Sequence, residues 1–248
     1  MTAAHVRRRW DQHTYARLAW VSIGDPQLVE LAAGAGHFDA IVLDLQHGTI
    51  DQAMALHCLR AAGRWPVTVL ARIASADADL IGWLLDAGLD GVIVAMCESA
   101  EMAQRIVGAT RYAPEGTRSY GVFRAATPGS DPLAETREVV VIPMVESAAG
   151  LQHVEAIVAV DGVDGVLIGP GDLGLSLGHG VGQNRTEPPM VAAFDTIRDA
   201  AHRHGKKCGI FATTPAYAAQ TAAEGYDLVV PWYDSAAIRA SLATAALD

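Results

Sequence analysis

Four stretches of this sequence place chemistry-bearing side chains at the ends of apolar, β-rich runs. The run 40–45 carries Asp44 and leads into Gln46 and His47, and the run 67–72 ends in Arg72. The run 139–146 ends in Glu146, and the run 165–170 is followed at once by Gly171 and Asp172. A histidine is the side chain best suited to proton transfer near neutral pH. A guanidinium offers a planar fork of donors to a developing oxyanion. Two carboxylates with no thiolate nearby suit a hard divalent cation, with Mg²⁺, Mn²⁺ or Co²⁺ completing its shell from water and substrate oxygens. Each residue alone has an ordinary explanation: a loop histidine, an ion-paired arginine, a cap at Glu146, a cap at Asp172 for a helix opening at Leu173. Their joint recurrence after four different runs points instead to one shared site. Lysine is the missing type. The chain has only Lys206 and Lys207, both at the start of a later run, so a Schiff-base route to an enolate has no carrier and a Lewis-acid metal is the remaining stabiliser.

The elements that must position these residues are legible from periodicity. Eight apolar runs occur, at 18–23, 40–45, 67–72, 91–96, 139–146, 165–170, 207–213 and 227–232. They are continuous in Val, Ile and Leu, as strands buried on both faces of a parallel sheet are. Ala-rich amphipathic segments alternate with them near 26–35, 51–62, 77–87, 99–109, 147–159, 188–204, 214–224 and 234–246, several opening on a capping residue such as Asp25, Asp51 or Ser99. Eight β/α units predict an α/β fold, a (β/α)8 TIM barrel spanning 1–248 as one domain, with catalytic groups at the C-terminal strand ends. The alternative, an open doubly wound sheet, lacks a G-x-G-x-x-G after its first strand. The longest irregular stretch, 110–136, is expected to be functional.

Composition excludes several classes. The 248 residues carry 18 Lys+Arg against 28 Asp+Glu, a net charge of −10 that argues against a nucleic-acid partner. Apolar residues make up 51% and charged ones 19%, ample for a folded core. The apolar runs are strand-length, so no membrane partner is expected. Cys58, Cys97 and Cys208 form no C-x-x-C pair, and Arg7, Arg8 and Arg9 are followed by Trp10 and Asp11 rather than a signal core; a cytoplasmic location is expected.

At these residues the sequence resembles the HpcH/HpaI family of class II pyruvate aldolases. The resemblance rests on Asp44-Leu45-Gln46-His47-Gly48, Leu84-Leu85-Asp86-Ala87-Gly88, the stretch Arg111 to Arg118, Pro143-Met144-Val145-Glu146-Ser147, and the stretch Gly162 to Leu173. It implies a barrel of the phosphoenolpyruvate/pyruvate-domain type and a metal held by Glu146 and Asp172. It implies that Arg72 binds the keto oxygen of pyruvate, that backbone around Gly171 and Asp172 receives the carboxylate, and that His47 transfers protons, oriented by Asp44 or Asp86. A homo-oligomer follows from the same likeness, a hexamer or trimer of dimers, in which Asp86 acts across a subunit boundary. The chain departs from the family at Gln46, where Glu is usual, at Ala95, and at Pro231-Trp232-Tyr233-Asp234.

The expected activity is metal-dependent cleavage of a 4-hydroxy-2-oxo acid to pyruvate and an aldehyde, and the reverse addition, through a pyruvate enolate at the metal. The alternatives are decarboxylation of oxaloacetate, joining of pyruvate to a larger acceptor, or a catalytically idle 2-oxo-acid binder. Trp20, Tyr120 and Phe211 are expected to wall the acceptor pocket, with Arg118 and Arg124 in the long loop as candidate anchors for an acidic aldehyde.

Overall fold

The computed structural model describes residues 4–121 and 131–245. Eight parallel strands close into a barrel in sequence order. They are β1 (Ala16–Val21), β2 (Ala40–Asp44), β3 (Thr68–Ile73), β4 (Gly91–Val94), β5 (Val140–Val145), β6 (Gly165–Ile168), β7 (Lys207–Ile210) and β8 (Leu228–Tyr233). The (β/α)8 expectation is met, and each apolar run lies on its strand. Around them lie α1 (Ala4–Asp11), α2 (Pro26–Gly34), α3 (Gln52–Ala62), α4 (Ala78–Asp86), α5 (Ala100–Thr110) and α6 (Pro132–Arg137). The rest of the ring is α7 (Ala148–Gln152), α8 (Val154–Val158), α9 (Pro170–Ser176), α10 (Pro188–Arg203), α11 (Pro215–Ala223) and α12 (Asp234–Thr244). Asp25, Asp51 and Ser99 cap helices as their positions suggested, each side-chain oxygen accepting from first-turn N–H groups. The segment 147–159 forms two short helices that meet at His153. The helix near Asp172 starts earlier than expected, at Pro170, so Asp172 lies inside its first turn and is not its cap.

Register explains which side chains meet inside. Trp20 pairs with Val42, Val42 with Leu70, and Asp44 with Arg72, so by the period of two Trp20, Asp44 and Arg72 face the same side, the barrel interior. Glycines make room on the other wall. A Cβ on Gly91 would lie 2.9 Å from the Leu70 side chain, and one on Gly209 would lie 2.8 Å from that of Leu167. These large leucines fill the space that the glycines leave, which gives the interdigitated layers of a packed barrel.

The opposite, N-terminal end is closed by a four-fold device. Asp39, Asp90, Asp164 and Asp227 stand immediately before the even strands β2, β4, β6 and β8. Each carboxylate accepts the N–H of the second residue of the preceding odd strand: Arg17 at 2.9 Å, Val69 at 2.8 Å, Val141 at 2.9 Å and Cys208 at 3.0 Å. Each backbone N–H donates to the carbonyl of that same residue, and each backbone carbonyl accepts from the first residue of the next odd strand. Helix α1 lies on this ring, with Arg7 donating to Asp164 at 2.9 Å, Arg9 to Asp39 at 2.8 Å and the Trp10 indole to the Asp227 carbonyl at 3.4 Å. Polar residues at this end therefore hold the barrel shut and leave chemistry to the other.

Candidate active site

The C-terminal strand ends assemble one hydrogen-bonded unit around Asp44. Its carboxylate takes Arg72 in a fork, Nε on Oδ1 at 2.8 Å and Nη2 on Oδ2. The Trp20 indole N–H reaches Oδ2 at 3.1 Å, and the backbone N–H groups of Gln46 and His47 reach Oδ1 at 3.0 Å each. Burial alone would raise the Asp44 pKa; the hydrogen bonds and charge of Arg72 outweigh it and hold the carboxyl below its ordinary value. Asp44 and Arg72 are both buried. The Arg72 guanidinium also lies 5.3 Å from the Trp20 ring centre, and Trp20 meets Phe211 edge-on at 4.9 Å. Arg72 thus stands fixed between a carboxylate and an aromatic wall.

Glu146, just beyond β5, is 3% exposed. Its Oε1 accepts the Met96 N–H at 2.8 Å, and Met96 is turned to it by a left-handed backbone, φ 53°. Its Oε2 lies where a Cβ on residue 169 would be, so only glycine fits there. Burial first, and then the like charge of Asp172, push the Glu146 pKa up to about 7, against the opposing pull of the Met96 N–H and Arg72. Asp172 projects from the first turn of α9 and is exposed. A divalent cation fits this pair. It would compensate the buried charge and the mutual repulsion at once, and no donor of the described residues occupies Oε2. Among the described residues no three His, Cys, Asp or Glu converge as a ligand set, so such an ion would draw its remaining ligands from water and substrate.

The structure brings together Trp20, Asp44, Arg72, Glu146, Gly171, Asp172 and Phe211 on one rim, with His47 exposed beside them. Asp44 holds the His47 backbone rather than its imidazole, a correction to the expected ring-orienting role. Two expected site residues lie elsewhere in the chain. Asp86 is the last residue of α4 and Tyr120 lies in the loop after α5, so both are at the ends of helices that lead into strands, the N-terminal end of the barrel. There Arg118 pairs with Asp86 and stacks 4.8 Å over Tyr112, and Tyr120 packs on Tyr112 at 5.3 Å while remaining largely exposed. The described part of the long loop thus leaves the rim of its own chain, and Arg124 lies outside the described residues. Lys206 and Lys207 are also at that end, with Lys207 paired to Asp227 at 3.2 Å.

Sequence reasoning missed two contributors. Tyr233 closes the aromatic wall against Phe211 at 5.7 Å. Asp234, fully buried, accepts the N–H groups of Ser22 and Ile23 at 2.8 Å each, and the Ser22 carbonyl in turn accepts from Thr49, two residues beyond His47. Both belong to the Pro231-Trp232-Tyr233-Asp234 run, whose polar ending was the available signal.

A closed (β/α)8 barrel with an arginine, a histidine and a carboxylate pair at its C-terminal rim defines a barrel enzyme. The chain belongs to the HpcH/HpaI aldolase/citrate lyase family, which it matches over residues 17–239. It is 35% identical over 238 residues to a hydroxypyruvate/pyruvate aldolase of Rhizorhabdus wittichii, covering 95% of this chain and 94% of that one. It is 34% identical over 226 residues to a 5-keto-4-deoxy-D-glucarate aldolase of Salmonella paratyphi C, covering 90% and 87%. Among solved structures, an HpcH/HpaI aldolase/citrate lyase family protein of Burkholderia cenocepacia superposes with a TM-score of 0.91 at 29% identity, covering 98% of each chain. No helix among the described residues is long and apolar enough to cross a membrane.

Proposed function

We propose that this protein is a metal-dependent aldolase that cleaves a 4-hydroxy-2-oxo acid to pyruvate and an aldehyde and runs the addition in reverse. The observation that carries the reading is the opposition of two charge types on one rim. Arg72 is held in a fork by Asp44, and Glu146 is buried close to the like charge of Asp172 with no donor of the described residues on its Oε2. A cation at Glu146 and Asp172, of the Mg²⁺, Mn²⁺ or Co²⁺ kind, would supply Lewis-acid polarisation of the substrate carbonyl.

The chain's own residues account for the rest. Backbone at Gly171 and Asp172, where α9 opens without a side-chain cap, receives the substrate carboxylate. Arg72 donates to the C2 oxygen as it gains charge, an interaction strongest in the transition state. His47 takes the proton from the C4 hydroxyl. The C3–C4 bond then breaks, its electron pair forms the enolate, and the aldehyde leaves past Trp20, Phe211 and Tyr233. Protonation at C3 completes pyruvate. Asp86 and Tyr120 reach such a site only from a neighbouring copy, so the proposal includes a homo-oligomer with shared sites.

Release of pyruvate from 4-hydroxy-2-oxo acids, with and without added metal, tests the reading. An idle binder releases none. A decarboxylase acts on oxaloacetate and leaves the hydroxy-oxo acids intact.

A further inference from the structure

His47 stands in a tight turn that is gripped from two sides. On the near side, the Asp44 carboxylate accepts the N–H groups of Gln46 and His47 at 3.0 Å each. On the far side, the Ser22 carbonyl accepts the Thr49 N–H at 2.8 Å, and the Thr49 hydroxyl accepts the Gly24 N–H at 2.8 Å. Gly48 lies between the two grips. A Cβ there would strike the carbonyl oxygens of both Asp44 and Ser22, so only glycine lets the backbones approach this closely.

The far grip is only as firm as the loop 22–24 that provides it, and that loop is held by Asp234. This residue opens α12 directly after β8 and is fully buried. Its Oδ2 accepts the N–H groups of Ser22 and Ile23 at 2.8 Å each. Its Oδ1 accepts the Ser22 hydroxyl at 2.8 Å and the Ser235 N–H at 2.6 Å. All four partners donate, which a carboxylate with two acceptor oxygens satisfies and an amide does not. A continuous path thus runs from the end of β8 through Asp234 and the Ser22 carbonyl to Thr49, two residues beyond His47. Arg72 is outside this path, since Asp44 and the register of β2 with β3 hold it. We infer that Asp234 is a positioning residue, which fixes the far end of the turn and so sets where the His47 imidazole stands. The inference rests on the aldolase reading, in which His47 takes the C4 hydroxyl proton. Loss of Asp234 then misplaces proton transfer and spares the binding of pyruvate.

Two variants test this. Asp234→Asn keeps the shape but turns one acceptor into a donor facing other donors. Thr49→Val cuts the path nearer to His47 and leaves the buried carboxylate in place, so it carries the test if Asp234→Asn does not fold. On the Mn²⁺-loaded protein, three quantities are compared with wild type: kcat for cleavage of a 4-hydroxy-2-oxo acid, the dissociation constant of pyruvate by calorimetry, and amide hydrogen exchange across residues 46–49. Asp234→Asn should lower kcat by roughly 10- to 100-fold, the scale of a small misplacement of a catalytic group. Pyruvate affinity should stay at the wild-type value while exchange at 46–49 quickens. Thr49→Val should act in the same direction and less strongly. Unchanged kcat in folded Asp234→Asn protein overturns the inference, even where exchange quickens. A loss of pyruvate affinity that matches the loss of kcat also overturns it, because the whole rim is then disturbed. If the wild-type protein cleaves nothing, the aldolase reading falls on its own, and exchange at 46–49 still decides whether Asp234 holds the His47 turn.

Discussion

Arg72 and Asp44 meet side-on across β3 and β2, with Nε on Oδ1 at 2.8 Å and Nη2 on Oδ2. Their strands are in register at this pair, so the fork is set by the sheet and not by a flexible loop. Among the described residues no hydrogen bond takes its Nη1, which the proposed function assigns to the substrate oxygen. Arg72→Lys preserves charge but loses the fork. It should lower kcat by roughly 10²-fold or more, as removal of an oxyanion donor does. Steady-state kinetics check this, and a change confined to KM would make Arg72 a ground-state binding residue.

Asp44→Ala leaves a buried guanidinium unpaired and releases the turn that carries Gln46 and His47. Removing one partner of a buried pair costs about 3–5 kcal/mol, and this is the loss expected in urea denaturation. Asp44→Asn keeps acceptor and shape and should lose less.

Glu146 gives a signed pH effect. Its pKa is raised to about 7 in the folded metal-free protein from an ordinary 4.5. The folded state therefore keeps this proton while the unfolded chain has released its own, so this group's contribution to stability falls as pH rises from about 4.5 to about 7. A cation requires the ionised form. Binding of Mg²⁺ at pH 6.5 should therefore release protons, with affinity falling as pH drops below 7. Calorimetry in buffers of different ionisation enthalpy measures the release, and Glu146→Gln should remove most of it.

Under the proposed function the aromatic wall would set acceptor size. Phe211 bridges Trp20 and Tyr233 edge-on. Phe211→Ala should shift kcat/KM toward bulkier aldehydes by roughly tenfold, the scale of a few apolar contacts in a pocket. An aldehyde panel with an unchanged profile would return Phe211 to simple packing.

Asp86 offers a test of shared sites. It lies at the barrel end opposite His47 within its own chain, paired with Arg118. Mixing inactive Asp86→Asn protein with inactive His47→Asn protein, then allowing subunits to exchange, should regenerate activity at a fraction of intact sites. No recovery after confirmed exchange would confine Asp86 to its Arg118 partner.

The barrel and most of its rim were legible because a buried parallel strand writes a continuous apolar run, and the rim residues follow such runs directly. Arg72 and Glu146 needed only the rule that chemistry gathers at C-terminal strand ends. The same rule, applied without attention to direction, put Tyr120 on the rim of its own chain. Its loop follows α5 and precedes β5, so it opens at the other end of the barrel. The ring of Asp39, Asp90, Asp164 and Asp227 is hidden in the sequence because it repeats every second β/α unit, against an apolar pattern that repeats every one. The His47 contact also could not be read from spacing. Whether Asp44 holds an imidazole or a backbone N–H depends on the path of a three-residue turn, which the residue types leave open.

The central claim is metal-dependent aldol chemistry at Glu146 and Asp172. The most direct measurement is pyruvate release from a 4-hydroxy-2-oxo acid by wild-type, Glu146→Gln and Asp172→Asn proteins, each first stripped by chelator and then titrated with Mn²⁺. Wild-type activity should vanish on stripping and return with Mn²⁺, while both folded variants stay inactive at every concentration. Undiminished turnover by the stripped wild-type protein, or full activity in either variant, would contradict the account.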